Sequence, residues 1–249
     1  VLVGGQAQGG GGGDCGDNTT GPAEVYAHSA STLYRIDATS KAATVVGNFK
    51  GCNGSVIDLA LDREGQMFGT TFGSLVRIDK TSASCTTVRE GSYPNSLSFV
   101  PAGTIFPDRE ALVGYQGATY VRIDTATGAL VEQGSLGNNS YVSSGDVVSV
   151  IGGGTYLTVR GGGCEDCIVE VNPVTGQLVT NLGSLNYAEV FGLAFWGGEI
   201  YGFNSAGQLF VFDVVSKNTK ALQIPGGAAG LSFFGAGSTT CARLTKPIN

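Results

Sequence analysis

The chain has 249 residues, a formal net charge of −6 and a sequence pI of about 4.7. Its 14 Lys and Arg are scattered, which excludes the basic patches of nucleic-acid or anionic-membrane binding, and no apolar run reaches the roughly 18–20 residues of a membrane span. Hydrophobic residues make up 42% against 14% charged, enough for one large core, and 41 glycines without a G-X-Y period exclude collagen and point to many tight turns.

In chain order, residues 1–22 read as a Gly-rich arm ahead of a single domain over 23–249. Apolar Val1–Gln8 suits strand addition to a neighbour's edge, so self-assembly through this arm is one expectation. The glycine run Gly9–Gly13 and Cys15 follow. Glu24-Val25-Tyr26-Ala27-His28 then reads as a second or outer strand, which puts His28, the sole histidine, far from any central channel.

From there one unit recurs. Five short strands end in an acid or amide before a polar turn: Leu33–Asp37, Leu75–Asp79, Tyr120–Asp124, Ile168–Asn172 and Leu209–Asp213. Their spacing is roughly 41 to 48 residues. An Asp or Asn at the start of such a turn bonds the backbone two residues on, so these acids read as turn formers. A second anchor also occurs five times: Ile57–Leu61, Asn95–Phe99, Gly145–Ser149, Phe191–Phe195 and Ala229–Phe233. Further strands lie between the anchors, as at Met67–Thr70 and Ile200–Phe203, and Gly73, Gly117 and Gly207 mark hairpins. Four short strands per repeat of this length make a propeller blade, so the expected fold is all-β, a five-bladed β-propeller. The phase of the repeat predicts that Leu231–Phe233 closes the blade opened by Glu24–His28. Shared closure removes the exposed sheet edge.

The run of Leu33-Tyr34-Arg35-Ile36-Asp37, Gly192-Leu193-Ala194-Phe195 and Ile200-Tyr201-Gly202 resembles the YVTN, NHL and gluconolactonase-type propeller repeats of secreted bacterial proteins, over about residues 24–235. The resemblance implies the fold; propellers host many functions. A gluconolactonase-type enzyme would add a Glu, Asn and Asp metal set in the channel, which cannot be placed on these residues.

Six cysteines suggest three disulfides and an oxidising, extracellular or periplasmic location. Repeat position pairs Cys15 with Cys241 across the closing blade and Cys52 with Cys85 between neighbouring blades. Cys164 and Cys167 form a C-x-x-C in a hairpin, with no helix N-terminus to activate a thiolate, and read as a local structural disulfide.

The innermost strands line the channel. There Asp58 and Asp146 stand where other repeats carry Ser or Gly, and Glu189 lies just before another inner strand. A carboxylate cluster at one channel mouth suits Ca²⁺, or an acid and base acting on a glycoside or lactone. The alternative is acids bonded to backbone amides. Arg35, Arg77 and Arg122 recur in three blades, read either as an anion stripe or as ion-paired, packed stems. Tyr93, Tyr115, Tyr141, Tyr156, Tyr187 and Trp196 fall in or near loops, where aromatics stack on sugars or pack between blades. With no nucleophile–histidine pair, the expected function is a secreted binding module for a protein or glycan partner. A structural subunit using the arm, and a channel-carboxylate hydrolase, are the alternatives.

Overall fold

The computed structural model describes residues 24–137, 139–225 and 230–245. Among them are twenty strands and no helix, and so no helix long and apolar enough to cross a membrane. The arm, Cys15 and the glycine run lie outside the described residues.

In chain order the strands are β1 (Val25–His28), β2 (Thr32–Ile36), β3 (Ala43–Asn48), β4 (Val56–Leu61), β5 (Met67–Thr71), β6 (Ser74–Asp79), β7 (Ser84–Glu90), β8 (Leu97–Val100), β9 (Ala111–Gln116) and β10 (Thr119–Ile123). They continue as β11 (Leu130–Ser135), β12 (Val142–Ser149), β13 (Thr155–Gly161), β14 (Cys164–Val171), β15 (Leu178–Ser184), β16 (Val190–Trp196), β17 (Glu199–Asn204), β18 (Leu209–Asp213), β19 (Asn218–Leu222) and β20 (Gly235–Ser238). They form five four-stranded antiparallel sheets: β4 to β7, β8 to β11, β12 to β15, β16 to β19, and β20-β1-β2-β3. The innermost strands touch in a ring, β4 with β8, β8 with β12, β12 with β16, β16 with β20, and β20 with β4. This is the five-bladed propeller.

Closure comes from the two ends of the chain, as the repeat phase predicts, but four residues later. The strand pairing with β1 is Gly235–Ser238, with His28 opposite Gly235 and Val25 opposite Ser238. Leu231 and Ser232 are half-buried outside any strand, and Phe233 fills the core beneath, edge-on to Phe203 at 5.3 Å. Space near the axis explains the shift. A Cβ on Gly237 would lie 2.9 Å from the Leu59 carbonyl oxygen. Only small residues thread there, and Gly235-Ala236-Gly237-Ser238 supplies them.

The five polar turns share one geometry. Asp37 Oδ1 accepts the Ser40 N–H at 2.6 Å, Asp79 Oδ1 the Thr81 N–H at 2.8 Å, and Asp124 Oδ1 the Thr127 N–H at 2.8 Å. Asn172 and Asp213 cap their turns the same way. Hydrogen bonds from these N–H and hydroxyl groups hold the Asp37, Asp79 and Asp124 carboxyls below the ordinary range. Each turn ends four residues on in a left-handed residue whose N–H returns to the acid's own carbonyl: Lys41, Ala83, Gly128, Gly176 and Lys217. Two turns fill that position with Gly, and three strain an L-residue into it.

Cys52–Cys85 joins the approach to β4 to β7, and Cys164–Cys167 bridges two residues at the start of β14. Cys241 is also disulfide-bonded, while its expected partner Cys15 lies outside the described residues.

Lys217 is exposed, with φ of 57°. Lys217→Gly is expected to stabilise the fold by about 1 kcal/mol, because Gly meets no Cβ penalty at positive φ. Chemical denaturation of the two proteins measures it.

Candidate functional site

The five inner strands start at one face of the ring, and their leading residues surround a funnel of about 900 Å³. Ile57 and Val56 enter from β4, Val142 to Gly145 from β12, and Phe191 from β16. Asn95 precedes β8, and Phe234 precedes β20. The rim adds Phe72 from the β5–β6 turn, Gln116 from the end of β9 and Arg160 from the end of β13. Phe72 is 80% exposed and Phe234 37%. Phe191 and Phe234 stack with centroids 6.2 Å apart. Arg160 is the only charged side chain among the described lining residues.

One residue below this rim, Asp58 and Asp146 meet at the axis, both fully buried. Their carboxyls are close enough to hydrogen-bond to each other, which requires a proton shared between them. Every oxygen also accepts a backbone N–H. Asp58 takes Leu59 at 2.8 Å and, from the next blade, Leu97 at 2.6 Å. Asp146 takes Val147 at 2.6 Å and, from its own next blade, Leu193 at 2.6 Å. Burial pushes both carboxyls well above the usual range, and the charge of Asp146 pushes Asp58 further. Donors on every oxygen are the chemistry of a carboxyl satisfied by amides, which leaves a cation little to coordinate.

Contrary to the sequence-based expectation, His28 joins this pair. It lies on β1, the second strand of its blade as predicted, and is fully buried. Its Nδ1 donates to the Ser29 carbonyl at 2.9 Å, which leaves Nε2 with a lone pair and no partner. A Cβ on Gly235 would overlap that Nε2 and stand 2.7 Å from Asp58 Oδ1, so both atoms converge on the space a glycine leaves open. Burial lowers the imidazole to about 4, so the ring is neutral near pH 7. The pairing of His28 with Gly235 was hidden by the four-residue error in the closing strand.

Glu189 stays outside. It is exposed, at φ of 54°, and accepts a hydrogen bond from the Ser205 hydroxyl. No three His, Cys, Asp or Glu gather as a metal cluster among the described residues. Trp196 sits at the far end of β16, away from the funnel, 7% exposed, with Lys41 Nζ 4.6 Å from its ring centroid.

The tyrosines serve packing between blades. Tyr93 and Tyr115 are buried and donate to the Gly128 and Gly176 carbonyls at 2.6 and 2.8 Å. Tyr187 stacks on Phe210 at 4.0 Å, Tyr156 is buried, and Tyr141 accepts from Asn181. Tyr93 also lines the funnel; the other aromatics that face it are Phe72, Phe191 and Phe234, which the sequence pattern does not single out. Arg77 and Arg122 pack over Phe68 and Phe106, and neither is in an ion pair among the described residues. Arg35 is exposed.

At the opposite face Glu110 accepts the Arg63 N–H at 2.7 Å and the Thr240 hydroxyl, linking three blades. Burial raises it to about 7.

No protein-family model matches the sequence, and no curated protein sequence does either. Solved structures align with most of the chain. One is a chain of a Nidogen/Laminin complex, 12% identical, with a TM-score of 0.54 over 85% of this chain and 78% of that one. Another is a protein of unknown function from Bacteroides caccae, 14% identical, with a TM-score of 0.46 over 85% and 77%. At such identities the likeness is one of fold, a β-propeller.

Asp58→Ala leaves two buried N–H groups without acceptors and is expected to cost about 2–4 kcal/mol, read by denaturant unfolding. For Glu110 the folded value lies above the ordinary 4.5, so the folded state holds the extra proton. Its stabilising contribution is full below about pH 4.5 and lost as pH rises through about 7. The axial pair acts in the same direction. Glu110→Gln should flatten the fall in melting temperature between those pH values.

Proposed function

We propose that this propeller is a secreted binding module that presents the funnel to a protein or glycan partner. The observation that carries the reading is the funnel itself: about 900 Å³, open at one face, with Phe72 80% exposed. Concave, largely apolar sites with a few convergent polar groups are where proteins hold ligands. Phe72, Phe191 and Phe234 line the same opening, and a contiguous exposed apolar patch rimmed by polar groups marks an interaction site.

The axial carboxyls support binding over hydrolysis. A general acid or nucleophile must reach the reacting bond, and Asp58 and Asp146 are fully buried with both oxygens engaged. Two disulfides among the described residues support an oxidising compartment. A propeller of similar fold has been captured in a Nidogen/Laminin complex, so the architecture is compatible with docking another protein.

Immobilised protein, tested on a glycan array and in pull-downs from extracellular fluid, should retain a ligand. Phe72→Ala should weaken that binding at least about tenfold, the cost of one aromatic anchor, with unchanged melting temperature. A ligand held equally well by Phe72→Ala places the binding face elsewhere. Blank results in both assays defeat the reading.

A further inference from the structure

We propose that the funnel takes an acidic saccharide, with Arg160 as the carboxylate partner and Phe72 as the ring-stacking platform. The inference rests on the funnel being the binding face, and it names the ligand class.

Charge is the first argument. The chain carries −6 overall, yet no carboxylate lines the funnel among the described residues, and its single formal charge is the Arg160 guanidinium. Arg160 is exposed at the end of β13, and none of the ion pairs among the described residues uses it. A guanidinium presents a planar fork of donors that matches a carboxylate in two parallel hydrogen bonds. An anionic ligand is attracted and a cationic one gains nothing.

The rest of the lining fits a sugar better than an aliphatic acid. A pyranose has an apolar C–H face and a polar rim. Phe72 offers a ring face to the first. Hydroxyl and amide groups of Asn95, Gln116 and Ser143 suit the second. Ser143 supplies an independent pointer. The residue lies in the funnel wall, is 5% exposed, and its buried Oγ has no hydrogen-bond partner. A buried hydroxyl left unpaired costs free energy that a ligand hydroxyl restores. The volume of about 900 Å³ lies within the range of small-ligand sites. A deep funnel ringed with short polar groups is less suited to the broad, flat contact of a protein partner.

The test is isothermal titration with trigalacturonic acid and with the corresponding neutral galactose trisaccharide. The acidic sugar should bind at least about tenfold tighter, the worth of one charge-assisted bidentate contact. Arg160→Gln should bring it down to the neutral level and leave the neutral sugar unchanged. Phe72→Ala should weaken both, and Ser143→Ala should weaken both by a smaller factor. Arg160 is exposed, so its variant should melt like the parent. If it does not, Arg160→Lys, which keeps the charge without the fork, should give an intermediate preference. Equal affinity for the two sugars, insensitive to Arg160→Gln, overturns the acidic class and leaves the funnel as a binding face. No binding of either sugar at millimolar concentration overturns the saccharide inference. The Phe72-dependent capture described above then decides separately whether the funnel binds anything.

Discussion

Each blade of this ring ends at the axis in a strand edge with no strand beside it, and the N–H groups on that edge must find acceptors. A buried donor left without one costs as much as a lost hydrogen bond. Asp58 and Asp146 meet that demand. Each binds its own following N–H and one from the next blade, so a single side chain both satisfies an edge and ties two blades together. Ser238 does the same for the Phe195 N–H at 2.9 Å. The ring depends on these axial acceptors as much as on the apolar packing between its sheets.

The acceptors have consequences for the ionisation of the core. Two carboxyls at one axis cannot both carry charge in a dry interior, so they share a proton. His28 beside them remains neutral, with its lone pair toward Asp58. The two carboxyls are accounted for by the edges' need for oxygen acceptors. On the face above, where the inner strands begin, side chains such as Phe72, Asn95 and Arg160 answer to no packing requirement.

Close approach of backbones at the axis sets the other rule. A Cβ on Gly145 would overlap the Val190 carbonyl, and one on Gly192 would lie 2.7 Å from the Ala236 nitrogen. These glycines sit where inner strands of neighbouring blades touch. The hydrophobic pattern that marks an inner strand in the sequence is broken where the space is tightest. That is why Leu231-Ser232-Phe233 resembles inner-strand segments such as Leu97-Ser98-Phe99 more closely than the true closing strand Gly235–Ser238 does.

The repeat, the number of blades, the turn acids and the closure by both chain ends were legible in the sequence, because each is a local pattern: alternation along a strand, or an Asp that caps the turn beginning at its own position. Asp58 and Asp146 stood out for the same reason, as acids with no turn to cap. Their meaning was a tertiary matter. Whether an acid on an inner strand faces water or a neighbour's N–H depends on how far the blades close, which no single repeat encodes. The approach of His28 to Asp58 depends on a pairing between residues over two hundred positions apart. The funnel depends on strand ends and loops of all five blades brought to one face by the ring. Local chemistry therefore determined the blades, and only the closing of the ring decided which side chains became core and which remained for a partner.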